Sequence, residues 1–227
     1  LRRRTSLKSI KKDGTDFLVT VETGSETKDL RADLVVQGAG RVAAIDQLDL
    51  AAANVEAGDK GVAVNAYLQS TSNPKIYAAG DAADTQGAPL TPVAVFEGKV
   101  AASNMLKGNR TKPDYSGVPS AVFTVPELAR VGMLEEEARE AGHDIRVVEN
   151  DTGDWYSNLR VGESCAATKV IIDNDSDTIM GAHLLGPEYG EIINFFGLAI
   201  RLGLTTSDLK KMVSVYPSVG SDLGSMV

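Results

Sequence analysis

Cysteine and histidine are scarce in this chain of 227 residues, which contains Cys165 as its one cysteine and His143 and His183 as its two histidines. A single thiol excludes an internal disulfide and a paired-cysteine redox centre within the chain. So few sulfur and imidazole ligands also argue against a zinc centre, and we expect no bound metal. Cys165 lies in a segment typical of a plain strand, which does not favour a nucleophilic role.

Long apolar runs and an excess of positive charge are also missing. The longest apolar stretch, residues 192–200, is interrupted by Asn194 and Gly197, and it is far shorter than the ~20 residues needed to span a bilayer. The 31 acidic residues outnumber the 23 basic ones and give a net charge of −8. Such an acidic chain is a poor partner for nucleic acid or an anionic membrane, and we expect neither. With no signal peptide visible, we expect a cytoplasmic protein.

What is present is an ordinary globular composition, with 43% hydrophobic residues and 22 glycines. The length is sufficient for one large domain or two small ones with a buried core. The polar segment 111–117, which contains proline and glycine, is the best candidate for a domain boundary. The chain begins with Leu1 rather than Met, which suggests that it is a piece of a longer protein.

Residues 38–43 (GAGRVA) follow an apolar segment, residues 32–36, that is predicted to be a strand. They match the pattern GxGxxG/A, in which glycines let backbone amides approach a dinucleotide pyrophosphate at the start of a helix. That pattern also requires an acidic residue at the end of the next strand, and the segment 61–65 has none. We therefore favour a glycine-rich crossover between domains, with dinucleotide binding as the alternative.

Gly80 and Asp81 follow residues 76–79, which are predicted to form a buried strand after the turn at Asn73 and Pro74. The carboxylate of Asp81 is then expected at the carboxyl end of a strand, where open α/β sheets bind ligands. A carboxylate there can accept hydrogen bonds from ribose or polyol hydroxyls. The alternative is that Asp81 only caps the following turn.

A helix is predicted to begin with Thr91 as its N-cap and Pro92 at the first helical position, and to end at Gly108. Its positive end comes soon after Asp81 in the sequence. A helix start can stabilise negative charge on a bound group by ~0.3–1 kcal/mol at an exposed site. The alternative is a capped helix that binds no ligand.

Beyond residue 117 the pattern changes to α+β, with predicted strands at 120–125, 145–148, 165–172 and 178–185. The three aspartates within residues 173–177 lack the glycine and final glutamate of an EF-hand loop, so they indicate a solvated hairpin turn. A helix is predicted over residues 187–202. Apolar side chains nearly surround it, so we expect burial by its own sheet and by a second subunit. A charge at Ile193 or Phe196 should then break the association.

The motifs of this chain, taken in order, resemble the C-terminal half of the pyridine nucleotide–disulfide oxidoreductases. This is the group of glutathione reductase, dihydrolipoamide dehydrogenase and mercuric reductase. The resemblance covers nearly the whole chain and is specific, because five ordered motifs at matching distances rarely coincide. The motifs are GR at 40–41, IYAAGD at 76–81, LTPVA at 90–94, FTVPE with VG within 123–132, and GAHLLG with a glutamate within 181–191.

The resemblance implies FAD as the cofactor and NAD(P)H as the cosubstrate. It implies that Gly80 and Asp81 contact the ribityl–phosphate region of FAD. It also implies that the start of the predicted helix lies near the flavin ring, where the helix dipole favours negative charge. The implied cofactor-binding residues are Gly80, Asp81, Thr91, Pro92, Val93 and Ala94.

The resemblance also implies the fold class, an α/β remnant of the FAD- and NAD(P)-binding domains followed by an α+β dimerisation domain with an antiparallel sheet and helices. Residues 1–43 would be the tail of the NAD(P)H domain and residues 44–109 the C-terminal segment of the FAD domain. Residues 110–227 would be the interface domain, through which the protein forms a homodimer.

The departures from the family pattern lie at three places. Ala43 and Ala44 replace the Pro-Asn of the usual crossover, and the FAD fingerprint, the redox cysteine pair and the NAD(P)H fingerprint of the family's N-terminal half are absent from this sequence. At the C-terminus the family's His-Pro-Thr is Tyr216-Pro-Ser, and the glutamate position falls on Ser221, with Asp222 adjacent. Tyrosine is a poor general base at neutral pH but can donate a hydrogen bond or a proton. Tyr216 and Asp222 are the candidate catalytic residues, and a packing role is the default interpretation of Tyr216.

These observations favour the C-terminal portion of an FAD-dependent NAD(P)H oxidoreductase that supplies part of the flavin site and the homodimer interface. The piece by itself is expected to be inactive. The alternative is a standalone dimerisation module without redox activity, in which the motifs serve only packing. A third hypothesis, a nucleotide binder built on residues 38–43, predicts that the isolated chain binds NAD(H).

Overall fold

The structure is a computed structural model that describes residues 2–227. Its contacts divide the chain into two compact units, with the division between Val42 and Ala43. No helix within residues 2–227 is long and apolar enough to cross a membrane.

The first unit is a three-stranded antiparallel sheet of consecutive strands. It consists of β1 (Thr5–Asp13), β2 (Asp16–Thr23) and β3 (Glu26–Ala32), hydrogen-bonded in the order β1-β2-β3. The prediction of a strand at residues 32–36 is wrong, because β3 ends at Ala32 and the apolar side chains beyond it are uncovered. Leu34 is 71% exposed and Val36 is 83% exposed.

No helix begins directly after residues 38–43. The next element is a single 3-10 turn at Asp46–Leu48, which comes after several residues without regular structure. Dinucleotide binding by the GxGxxG/A pattern depends on the aligned amides at the start of a helix. The alternative of a dinucleotide fingerprint at residues 38–43 is therefore wrong.

The second unit begins with a small sheet and a long helix. The sheet contains β4 (Ala57–Gly58), β5 (Gly61–Ala63) and β6 (Ala83–Asp84), with β5 and β6 parallel. Helix α1 (Thr91–Lys107) follows and ends at Gly108, as predicted. One side of α1 packs on the loop before it, where its Val100 and Ala101 bury Leu68.

The buried strand expected at residues 76–79 is not present in that form. Tyr77 forms an isolated bridge to Gln69, and the backbone amide of Ala78 donates to the carbonyl of Leu68 at 3.0 Å. Pairing is thus on one side, since the described residues place no strand along the other edge. With one neighbour only, residues 76–79 are half-buried rather than buried.

The rest of the second unit is an α+β arrangement around a five-stranded antiparallel sheet with the strand order β7-β8-β11-β10-β9. The strands are β7 (Ser120–Val122), β8 (Glu127–Gly132), β9 (Ile145–Asp151), β10 (Ala167–Asp173) and β11 (Ile179–Gly186). The helices are α2 (Glu135–Glu140), α3 (Tyr156–Leu159), α4 (Tyr189–Leu202) and α5 (Thr206–Lys210), and a 3-10 helix at Val219–Ser225 ends the chain.

The main core lies between this sheet and α4. Alternate residues of β10 point to opposite faces, so Val170 and Ile172 pack under α4 while Ile171 packs under α2 with Ala138. From α4, the fully or nearly fully buried side chains that complete the core are Tyr189, Ile192, Ile193, Phe196 and Ala199. The predicted fold class, with an antiparallel sheet and helices after the first 110 residues, is confirmed.

Gly117 illustrates how closely the segment before β7 approaches α4. Its φ is +67°, and a Cβ atom at this position would overlap the carbonyl oxygen of Gly197 on α4. We expect Gly117→Ala to lower the free energy of unfolding by about 2 kcal/mol or more, because left-handed strain and overpacking act together.

Gly98 is the matched control for this substitution. It lies inside α1 with open space around its Cα, so Gly98→Ala should stabilise the protein slightly through helix propensity. Urea denaturation of both variants provides the comparison. Equal midpoints for the two variants would contradict the proposed close approach.

Candidate functional site

The turn that carries Asp81 packs directly on the first turns of α1. Gly80–Ala82 forms a 3-10 helix that leads into β6, so Asp81 lies in a half-buried turn rather than at the end of a regular strand. Gly80 adopts a φ of +65°, and a Cβ atom there would come within 2.8 Å of the Cβ of Ala94. Only glycine allows this approach, which brings the carboxylate-bearing turn next to the helix start.

The N-cap residue of α1 lies one position earlier than the sequence predicts. Leu90 is the N-cap, because its backbone is extended and its carbonyl accepts the first helical hydrogen bond, from the amide of Ala94 at 3.0 Å. Thr91 is the first helical residue and Pro92 the second, so the prediction of Thr91 as the capping side chain is wrong. The missing N–H of Pro92 costs nothing at this position, since the first amides of a helix have no partner within it.

Glu97 is a buried acidic residue of α1 that the sequence analysis did not identify. It is 0% exposed, and its carboxylate accepts three hydrogen bonds from three different segments. The donors are the backbone amide of Gly80 at 2.6 Å, the hydroxyl of Thr85 at 2.8 Å and the hydroxyl of Tyr115 at 2.6 Å. The sequence signal was a glutamate among the apolar positions of a helix, which is uncommon unless the carboxylate is paired.

Tyr115 belongs to the segment 111–117 that was predicted as a domain boundary, and it is held in place by this carboxylate. Burial raises the pKa of Tyr115 to about 12, and the hydrogen bond to Glu97 adds to the effect. The phenol therefore stays protonated at physiological pH and donates its hydrogen bond to Glu97. The ring also makes an edge-to-face contact with Phe96, with 6.4 Å between ring centroids.

Tyr216 and Asp222, the candidate catalytic residues, are both attached to α3. The ring of Tyr216 stacks on that of Tyr156, with 6.2 Å between centroids and 22° between planes, and Tyr216 is 73% exposed. Asp222 accepts a hydrogen bond from the hydroxyl of Ser157. The sequence analysis missed α3, whose four residues are too few for a periodic pattern.

Among residues 2–227 there is no group of three or more His, Cys, Asp or Glu side chains that could hold a metal ion. Two aspartates of the 173–177 turn make local hydrogen bonds and an ion pair instead. Asp173 accepts hydrogen bonds from the amide and hydroxyl of Ser176, which hold its pKa below the usual value. Asp177 pairs with Arg146 and accepts from the hydroxyl of Thr206.

The side of α4 away from the sheet is apolar and uncovered. Phe195 is 39% exposed, Leu198 is 52% exposed and Leu202 is 62% exposed. Their spacing of three and four residues puts them on one face of the helix. We call these three residues the outer face of α4.

Family models match nearly the whole chain. Residues 118–227 match the dimerisation domain of the pyridine nucleotide-disulphide oxidoreductases, and residues 1–98 match a second model of the same group. The chain belongs to the pyridine nucleotide-disulphide oxidoreductase family, as its motifs predict. Members of this family are FAD-dependent and use NAD(P)H as substrate.

Individual relatives agree with the family assignment. The chain is 32% identical to the mercuric reductase of Staphylococcus aureus over 94% of its own length and 39% of that protein. It is 34% identical to the dihydrolipoyl dehydrogenase of Thermus scotoductus over 98% of its own length and 48% of that protein. The chain therefore spans about half or less of these enzymes.

A short relative and a solved structure extend the comparison. An uncharacterized 19.7 kDa protein in the mercuric resistance operon of Staphylococcus aureus is 52% identical over 79% of this chain, and its entire length is matched. The structure of the HOCl-induced flavoprotein disulfide reductase RclA from Escherichia coli superposes with a TM-score of 0.82 at 27% identity. This superposition covers 97% of this chain and 50% of that one.

The residues around the Gly80–Ala82 turn fit a flavin cofactor. The close contact of Gly80 with Ala94 places a carboxylate, which accepts hydrogen bonds from hydroxyl groups, beside a helix start, which favours negative charge. A polyol chain and an electron-rich ring are the groups that such a pair of features suits.

Proposed function

We propose that this chain is the C-terminal portion of an FAD-dependent NAD(P)H oxidoreductase that supplies part of the flavin site and the homodimer interface. The single observation that carries the proposal is the packing of Gly80 on Ala94, which joins the Asp81 turn to the start of α1. In this proposal residues 1–43 are the tail of the NAD(P)H domain, residues 44–109 close the FAD domain and residues 110–227 form the interface domain.

Each candidate residue has a distinct role toward the cofactor. FAD, when bound, supplies a carrier that takes hydride from NAD(P)H and passes electrons to an acceptor. Asp81 accepts hydrogen bonds from hydroxyl groups of the ribityl–phosphate region, and Gly80 lets its turn approach α1. The helix start at Thr91, Pro92, Val93 and Ala94 stabilises negative charge near the flavin ring through its aligned amides.

Tyr216 and Asp222 act at the dimer interface in this proposal. The exposed phenol of Tyr216, supported by Tyr156, donates a hydrogen bond or proton near the flavin of a second copy of the chain. Asp222 is anchored by Ser157 and is adjacent to Ser221, the position at which the family has its glutamate. Because a phenol does not replace a histidine as a base at neutral pH, reduction of glutathione or lipoamide disulfides is not the activity we propose.

The isolated chain is expected to turn over no substrate, because it carries neither a cysteine pair nor the pyrophosphate fingerprints. The matched 19.7 kDa relative favours a second candidate, a standalone dimerisation module without redox activity, since the whole of this relative matches 79% of the chain. The predicted cytoplasmic location stays a prediction.

Substitution of Asp81 tests the flavin site. We expect Asp81→Asn to weaken FAD binding about tenfold or more, because a charge-assisted hydrogen bond is lost. Quenching of flavin fluorescence on titration with purified protein measures the affinity. Asp84→Asn, at an exposed position three residues away, is the control and should leave the affinity unchanged.

The outcomes separate the two candidate functions. Equal affinities of the Asp81 and Asp84 variants would remove Asp81 from the site. An absence of flavin binding by the unsubstituted chain would contradict its share of the flavin site and favour the dimerisation module.

A further inference from the structure

The carboxylate of Glu97 is the point at which three separate segments meet α1. Gly80 lies in the turn before Asp81, Thr85 lies in the loop after β6, and Tyr115 lies in the segment that leads to the antiparallel sheet. Each segment donates one hydrogen bond to Glu97, and all three bonds are 2.6–2.8 Å long. The contacts span residues 80 to 115, so a side chain remote from Asp81 in the sequence is hydrogen-bonded to the turn that carries Asp81.

Glu97 also defines the space in which the turn is packed. A Cβ atom on Gly87 would lie 2.6 Å from its Oε1 and 2.8 Å from the ring of Tyr115. Gly80, in the turn that carries Asp81, packs against Ala94, which lies about one helical turn before Glu97 in α1. The backbone is therefore in close contact with α1 on both sides of Asp81, and the carboxylate is the polar centre of that contact.

Asn104 is a second buried polar residue on the same side of α1, two turns further along. It is 1% exposed, and its amide group donates to the carbonyls of Tyr67 and Thr111. Its carbonyl oxygen accepts from the amides of Arg110 and Thr111. Asn104 makes four hydrogen bonds, but none of them reaches the Gly80–Ala82 turn.

We propose that Glu97 is a positioning residue for the flavin site. Its carboxylate holds the Gly80–Asp81 turn against the start of α1 and links that turn to Tyr115. The part of this inference that concerns flavin depends on the proposed function above. The part that concerns the turn depends only on the hydrogen bonds of Glu97. Asn104 is then the matched control, a buried polar residue of the same helix that serves the 110–111 segment instead.

Amide hydrogen exchange of the purified chain, followed by NMR, tests the position of the turn without any ligand. Glu97→Leu removes the acceptor of the Gly80 amide, so exchange at Gly80 and Asp81 should become about 10- to 100-fold faster. Asn104→Leu should instead accelerate exchange at Arg110 and Thr111 and leave the turn unchanged. Uniform acceleration throughout the chain in both variants would show a merely structural role and overturn the proposal.

Glu97→Gln provides the conservative rescue. Its amide oxygen can still accept from Gly80, and its NH2 group can donate to the hydroxyls of Thr85 and Tyr115, which rotate to accept. We expect exchange at the turn to stay within about threefold of the unsubstituted chain. If Glu97→Leu does not fold, Glu97→Asp, which is one methylene too short to keep all three contacts, should give the same local acceleration. Protection of Gly80 that is unchanged in Glu97→Asp would then overturn the proposal.

FAD titration of the same variants tests the link to the cofactor. Glu97→Leu or Glu97→Asp should weaken FAD binding about tenfold or more, whereas Asn104→Leu and Glu97→Gln should stay within about threefold. Equal losses for Glu97→Leu and Asn104→Leu would overturn the positioning role toward flavin. If the unsubstituted chain binds no FAD, the proposed function fails for this chain, while the exchange data still decide whether Glu97 positions the turn.

Discussion

Leu198→Asp is expected to convert a dimer of this chain into monomers. Leu198 lies at the centre of the outer face of α4 and is 52% exposed in a single chain, within the region that matches the family's dimerisation domain. A carboxylate at the centre of an apolar contact would be buried without a partner. We expect the association to weaken by about 100-fold or more.

Sedimentation at several protein concentrations measures this effect. Leu106→Asp is the control and should leave the association constant unchanged. Leu106 lies near the end of α1 and is 84% exposed. An unsubstituted chain that is monomeric at micromolar concentration would contradict the dimer itself. A dimeric Leu198→Asp variant would place the interface on another surface.

Phe196→Ala is expected to produce the largest loss of stability. Phe196 is 0% exposed and belongs to the core between α4 and the five-stranded sheet. Removal of its ring should lower the free energy of unfolding by about 3–5 kcal/mol, because apolar contacts are lost and a cavity remains. Urea denaturation measures the change, and Phe195→Ala, on the outer face of the same helix, should cost far less in a monomeric background.

The burial of side chains on α4 corrects one expectation drawn from the sequence. A charge at Ile193 or Phe196 was predicted to break the association, but both side chains are buried within a single chain, at 2% and 0% exposure. Such a charge would unfold the protomer before it affected any contact between copies. The apolar pattern indicated burial by the sheet correctly, whereas burial by a second subunit stays a prediction. The pattern could not tell which residues face the sheet, because that depends on how the helix is rotated against strands elsewhere in the chain.

Regular elements with strong periodicity were predictable from the sequence. The hairpin of β10 and β11, the length of α4 and the end of α1 at Gly108 follow from alternation, apolar spacing and a helix-stopping glycine. The prediction of a buried strand at residues 76–79 is wrong, because burial of such a segment depends on the neighbours that pair with it rather than on its own residues. Capping at Leu90 instead of Thr91 likewise depends on backbone geometry that propensity does not determine.

The sequence predicted some residues of the candidate site and missed others. Motif order identified Gly80, Asp81 and the helix start, since each belongs to a local sequence pattern. Glu97 and Tyr115 were missed because their hydrogen bond joins residues far apart in the chain. Buried polar contacts of this kind are set by tertiary structure, and a single sequence gives only the hint of a charged residue on an apolar face.

The short helix α3 has a consequence for any chemistry at the C-terminal end of the chain. Two consecutive residues of it, Tyr156 and Ser157, hold Tyr216 and Asp222 respectively. A tilt of this one turn would carry the phenol and the carboxylate together, so their separation would be conserved while their common location shifted. Natural variation in α3 would then shift the phenol and the carboxylate together, without any substitution at Tyr216 or Asp222.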